Sequence, residues 1–268
     1  MGSYGVGPTE VQVAMLGPVE IRGAARPFHR SAARELVVYL ACHRQGARSD
    51  VWSAALWTDR GVAPSTVHST ASVARRALGC SRHGVEHLPR GGRTLRLADT
   101  VGSDVEQFAA AAASPDPHHW REALGLIRGR LFDGLSRCDW AVLDGTMAQL
   151  ESMVVDTALK AAEHFLQMGS GEEAQWMIRR GLCISPYDER LYRALLRATQ
   201  VVGNRVGLRS ALREILLIAS DGDRGPWSAG PGTPSDPDYS VIHPKTLNLY
   251  WELSGEGIAA ARGHPSRL

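Results

Sequence analysis

Pro64-Ser65-Thr66-Val67-His68-Ser69-Thr70-Ala71-Ser72-Val73-Ala74-Arg75-Arg76-Ala77-Leu78-Gly79 reads as one helix with two different faces. Proline suits the first helical turn, because its fixed φ matches the helix and its missing N–H would have no partner there. Glycine at the far end stops it. Val67, Ala71, Ala74 and Leu78 recur at i, i+4, i+7 and i+11, an apolar stripe at helical spacing. The opposite face carries Ser65, Ser69, Ser72 and Arg76, flanked by His68, Val73 and Arg75. Such a helix has a core to meet and a polar surface to present.

Upstream, Ser31 is placed to cap a helix running to about His43, with Ala33, Leu36, Val37, Leu40 and Ala41 on its apolar side and Gly46 just past its end. Asp50 opens a short second helix containing Val51, Ala54, Ala55, Leu56 and Trp57, and a loop at Gly61 leads to Pro64. Further back, Val11–Leu16 and Val19–Ile21 alternate on either side of Gly17-Pro18, the pattern of a short hairpin or meander. Pro27-Phe28 is expected to add a third short strand. Downstream, Val85–Leu88 and Arg93–Leu97 flank Pro89–Gly92 and predict a hairpin with a basic tip. Strands, three helices and a closing hairpin are the order of a winged helix-turn-helix with a preceding sheet.

From about Ser103 the pattern is helical only, with candidates over Asp104–Ala113, Trp120–Ile127, one long helix Asp139–Gln167, then Glu172–Ile184, Asp188–Val201 and Val206–Ile218. Gly169 and Gly203 stand 34 residues apart, each closing one helix before the next. Phe165 and Thr199 share the position before the turn, and Ala174 matches Leu208 in the helix after it. A 34-residue helix-turn-helix period is that of tetratricopeptide repeats, whose units must stack to bury their apolar faces. Pro186 falls between the units. Residues 220–240 are rich in Gly, Pro, Ser and Asp and read as a loop, and His243–Leu253 as a short closing helix. The expected chain is therefore mainly α. A tag-like, disordered 1–10 leads into a winged helix-turn-helix domain with a small β-sheet and wing over 11–100. An all-α tetratricopeptide-like domain follows over 101–254, then a flexible tail over 255–268.

Hydrophobic residues at 44% and charged residues at 22% of 268 are ordinary globular values. No apolar run approaches the roughly 20 residues of a bilayer-spanning helix, so no membrane contact is expected within this chain. Met1-Gly2-Ser3 resembles an appended leader, which leaves room for a longer natural chain at either end. Cys42, Cys80, Cys138 and Cys183 lack paired spacing and read as reduced thiols of a cytoplasmic protein. Cys80, His83 and His87 have a ligand-like spacing but no second Cys pair, so a polar turn is the expected reading and no metal or cofactor is called for. Between Glu10 and Ala98, thirteen arginines face six acids, +7, while the rest of the chain carries −5. A basic front half points to an anionic partner.

The ordered motifs resemble those of the SARP-type bacterial transcriptional regulators, in which an OmpR-like winged helix precedes a bacterial transcriptional activator domain. They are Leu16-Gly17-Pro18-Val19-Glu20-Ile21, Leu56-Trp57, Ala74-Arg75-Arg76-Ala77-Leu78-Gly79, Asp104-Val105, Pro186-Tyr187-Asp188-Glu189-Arg190-Leu191-Tyr192 and His243-Pro244-Lys245-Thr246 through Leu253, covering about residues 11–254. The resemblance implies double-stranded promoter DNA as partner, the third helix in the major groove and the wing at the minor groove. It also implies homodimers on direct-repeat sites and contact with RNA polymerase. In one respect the chain departs from that pattern: promoter-binding members tend to carry more arginine where this helix offers Ser65, Ser69 and Ser72. Similar modules also end large membrane-anchored proteins, where protein interaction and signalling, not DNA reading, would be the role.

Arg75 and Arg76 are the candidates for base or phosphate contact, with Ser65, His68, Ser69, Ser72 and Val73 around them. Arginine near a helix C-terminus also offsets the helix dipole, and exposed serines are ordinarily just solvated. Arg90 and Arg93 at the hairpin tip fit a narrow minor groove, though a solvated turn explains them nearly as well. About three to five phosphate contacts per protomer are expected. In the helical half, Trp176, Tyr187, Tyr192 and Trp251 are candidate anchors for a protein partner, although aromatics at helical spacing are more often core. The sequence holds no Gly-x-Ser-x-Gly elbow, Walker loop or His-Glu-x-x-His, and no enzymatic role is expected.

Overall fold

The computed structural model describes residues 9–58, 61–90, 94–219 and 239–255. The leader, most of the 220–240 loop and nearly all of the tail therefore lie outside the described residues. Two compact units are present, one formed by the chain up to Ser114 with Gly125–Ser152, the other by Pro115–Leu124 with the chain from Met153 on.

In the first unit, Val11–Ala14 (β1) and Glu20–Arg22 (β2) pair antiparallel with Val13 opposite Ile21, as the alternation predicts. The third strand is not Pro27-Phe28. Ala25 and Arg26 spend their N–H groups on the Leu78 and Ala77 carbonyls at the end of the third helix, at 3.3 and 3.0 Å, and Pro27 has none to give. Val101–Ser103 fills the place instead, parallel to β1, in the order β2, β1, then the new strand.

Helix α1 spans Ser31–Cys42, followed by the two-residue strand β3 (Ala47–Arg48), α2 (Ser49–Leu56) and α3 (Pro64–Leu78). Ser31 is the first helical residue and not the cap, which is Arg30, and its hydroxyl accepts from Arg137 Nη1 at 3.1 Å. On α3 the buried side is Thr70, Ala74, Ala77 and Leu78, with Val67 and Ala71 only half-buried, so the stripe is turned from the expected one. Thr70 can face inward because its hydroxyl donates to the Thr66 carbonyl at 2.8 Å, which leaves its methyl for the core.

The expected hairpin of 85–88 with 93–97 does not form. Thr94–Leu95 (β4) pairs with β3, Ala47 opposite Leu95, while 85–88 curls back on the end of α3 through Ser81 N–H to Val85 O and His87 N–H to Gly79 O. Gly46 permits this pairing: at φ +80°, a Cβ there would stand 2.6 Å from the Leu95 carbonyl oxygen. Val101–Ser103 is β5, and Ser103 and Glu106 form a reciprocal capping box at the start of α4 (Asp104–Ala112). The α4 residue Asp104, 4% exposed, accepts hydrogen bonds from the Met15 and Leu16 N–H groups at 2.8–2.9 Å.

Gly125–Ser152 completes this unit. Arg128 and Phe132 donate their N–H groups to the carbonyls of Leu16 and Met15, Val19 donates to Asp133 O, and the Phe132 ring is buried. Asp139–Gln167 is two helices, not one. Asp139–Leu143 (α6) ends at Asp144-Gly145, where Gly145 takes φ +82° and the Asp144 carboxylate accepts from Thr146 N–H, starting α7 (Thr146–Gln167) afresh.

The second unit contains α5 (Pro117–Gly125), the later part of α7, α8 (Gly171–Ile184), α9 (Glu189–Val201), α10 (Arg205–Ala219) and α11 (Pro244–Ser254). The 34-residue period recurs in its hydrogen bonds. Gly169 and Gly203 take φ +72° and +75°, and the next residue donates back to the Phe165 or Thr199 carbonyl in each case, Ser170 at 2.8 Å and Asn204 at 3.1 Å. Ala174 and Leu208 are buried at the matching positions. Between repeats, Gly181 lets helices approach closely: a Cβ there would meet Ala158 and Leu191 side chains at 3.0 Å. Among the described residues the protein is mainly helical, with two small sheets, both in the first unit.

Candidate nucleic-acid interface

The polar side of α3 is an open surface. Ser65, His68 and Arg76 are exposed, and Ser69, Ser72 and Val73 half-buried. Ser69 Oγ donates to Thr66 O at 3.0 Å and lies 3.4 Å from Arg30 Nη1, which donates to it. Arg76 Nε reaches the Ser72 carbonyl at 3.4 Å and is otherwise turned to solvent. Arg30, at the head of α1, thus joins a face it is 39 residues away from, and Arg26 stands exposed beside the end of α3. Neither was a candidate from the sequence, where only the excess of arginine in this half could have flagged them. Hydroxyls and guanidinium groups on one helix face can bond phosphate oxygens and base edges.

Arg75 is placed differently. Its Nε donates to the Leu88 carbonyl at 2.8 Å, lies 3.9 Å from Glu86, and its side chain is 16% exposed, so it ties the 85–88 segment to α3. Arg90 is exposed, with Glu86 Oε1 at 3.4 Å. Arg93 lies outside the described residues.

His87 faces inward. It is buried and its Nδ1 lies 2.7 Å from Thr100 Oγ1, whereas Cys80 and His83 are exposed. Burial holds the His87 imidazole below its ordinary range, against the pull of Glu10. The unfolded chain then takes up this proton first as pH falls, so the contribution of His87 to stability is full above about pH 6.5 and fades below it. Urea midpoints at pH 7.5 and 5.5 are expected to differ by less in His87→Gln than in the parent, and equal differences would remove His87 from the cause.

In the second unit, the Trp176 ring has the Arg121 and Arg180 guanidinium carbons 4.6 and 5.0 Å from its centroid. Tyr192 is core, 1% exposed, its hydroxyl donating to Glu214 at 3.4 Å, and burial pushes that phenol well above its usual range. Trp251 packs edge-on against Tyr250 and Tyr239. Tyr187 is 68% exposed. Among the described residues no helix is long and apolar enough to cross a membrane, and no three His, Cys, Asp or Glu are grouped to hold a metal ion.

The first unit thus holds a sheet-backed helical triplet and the second stacked helix pairs. Residues 96–213 match the family model of the bacterial transcriptional activator domain. The fold matches that of Mycobacterium tuberculosis EmbR, solved in complex with a low affinity phosphopeptide, at TM-score 0.59 and 22% identity, over 92% of this chain and 66% of the EmbR chain. No curated protein sequence matches. The family match thus covers residues 96–213, less than half of the chain, and the likeness to EmbR is one of fold.

Proposed function

We propose that the chain is a cytoplasmic regulator whose front unit binds double-stranded promoter DNA, α3 entering the major groove and the Arg90 loop lying at the minor groove. On this reading the division of labour falls near residue 100, with the helical repeats of 101–254 serving homodimerisation and contact with RNA polymerase or another protein. The observation that carries the proposal is the Arg30–Ser69–Arg76 face, where the exposed arginine that caps α1 bonds Ser69 on the same helix as exposed Arg76. Nothing in this arrangement resembles a catalytic constellation.

Fluorescence anisotropy with promoter DNA from the gene's own neighbourhood tests it. Arg30→Ala and Arg76→Ala are each expected to weaken binding several-fold and to lower the slope of log K against log salt by about 0.9 for each phosphate the variant no longer neutralises. Arg75→Ala is expected to act through stability, since its guanidinium is spent on Leu88. Salt-insensitive binding, or binding indifferent to both Arg30 and Arg76, would overturn the proposal. The second reading is a protein-interaction and signalling module, belonging to a larger membrane-anchored protein. It is favoured by Arg75 being spent within the fold and by the Glu86 carboxylate beside Arg90.

A further inference from the structure

Helices α7 and α9 occupy the same place in successive 34-residue units, and between them lies a groove of about 540 Å3. Leu159, Leu166 and Ala194 supply its apolar lining, and Glu163, Arg193 and Arg197 are among its charged groups. The repeat register makes the charge pattern plain. Asp156, Leu159 and Glu163 of the earlier repeat correspond to Arg190, Arg193 and Arg197 of the later one, so an acidic face in one repeat becomes a row of arginines in the next.

Two of those arginines are engaged. Arg190 is gripped by Asp188 at 2.8 Å and lies 3.6 Å from Asp156, while Arg193 lies 3.8 Å from Glu189 and donates to Thr246 Oγ1 at 3.0 Å. Arg197 is exposed and, among the described residues, makes neither a hydrogen bond nor an ion pair. Arg193 and Arg197 are also i, i+4 neighbours, a like-charge arrangement that weakens a helix standing alone. Three arginines against Glu163 leave the groove lining at +2.

We propose that this groove binds an acidic amphipathic peptide segment of a partner protein. A carboxylate of the segment sits between Arg193 and Arg197, and its apolar side chains lie on Leu159 and Leu166. Planar guanidinium groups suit carboxylates, and a neighbouring apolar strip excludes water from the pair. A nucleic-acid strand fits less well, because Glu163 would face its phosphates and the leucines would meet none of its polar groups. The proposal rests on the reading that the helical unit makes protein contacts and is independent of DNA binding by α3.

The test uses the full chain and a fluorescein-labelled sixteen-residue helical peptide with leucine at i, i+3 and i+7 and glutamate on both flanks, beside the same peptide with lysine for glutamate. The glutamate peptide is expected to bind at least tenfold tighter. Arg193→Glu with Arg197→Glu is expected to cost it at least tenfold and to raise the lysine peptide's affinity by a similar factor. Arg197→Glu alone, which breaks no hydrogen bond or ion pair within the described chain, keeps Tm unchanged and shows part of the same shift. Equal affinity for the two peptides, no binding of either, or a charge swap without exchange of preference would each overturn the groove assignment. Anisotropy with promoter DNA and polymerase pull-down on the same variants report separately on the proposed function: if the groove assignment alone is wrong, both are unchanged from the parent chain.

Discussion

Asp104→Ala is expected to destabilise the front unit by about 2–5 kcal/mol, because two buried backbone N–H groups lose their acceptor together. The carboxylate takes the Met15 and Leu16 N–H groups where the chain leaves β1, and the residue is only 4% exposed. Asp104 also opens α4, where a negative charge faces the unpaired N–H groups of the first turn. Asparagine keeps one acceptor oxygen but turns an NH2 group toward one of the donors, so Asp104→Asn should lose roughly half as much. Urea unfolding followed by tryptophan fluorescence measures both. A shift below about 1 kcal/mol for alanine would mean that the β1 end relaxes and finds other partners.

The second large effect concerns Glu35, 1% exposed in α1, which accepts from Arg137 Nη1 at 3.0 Å and Ser136 Oγ at 2.9 Å. Arg137→Met leaves a carboxylate in the core with one hydroxyl for company, and a loss of about 2–4 kcal/mol is expected. The figure sits toward the low side of broken buried pairs because the arginine itself is a third exposed. Replacing both residues, Glu35→Leu with Arg137→Met, should recover most of that loss, since neither desolvated charge remains. The double-mutant cycle in urea decides it: additive losses would show that the pair is not coupled.

Local periodicity made the helices legible. Apolar and small residues between Ala33 and Leu78 repeat at helical spacing, and the turns at Gly79, Gly169 and Gly203 each take the positive φ that glycine supplies cheaply. Strand pairing was legible only where the partners are neighbours in sequence. β3 and β4 have two residues each, too short to alternate, and their pairing depends on Gly46, which from sequence alone looks like a helix terminator. Pro27-Phe28 looked like a strand because the competing partner, the end of α3, lies some fifty residues on. The site was half legible for the same reason. Helical phase places Ser65, Ser69, Ser72 and Arg76 on one face, but only tertiary structure turns Arg75 onto Leu88 and brings Arg30 to Ser69.

The strap from Arg128 to Asp133 carries a consequence for how such proteins diversify. It belongs by sequence to the region matched by the activator-domain model, yet its N–H groups serve Met15 and Leu16 and its Phe132 ring fills the front core. A gene fusion that joined a new front end at residue 96, where the activator-domain match begins, would inherit a foreign strap. Grafting that respects the hydrogen bonds must carry the stretch as far as Ser152 along with the strands it closes, so the transferable module is longer than the start of the activator-domain match suggests.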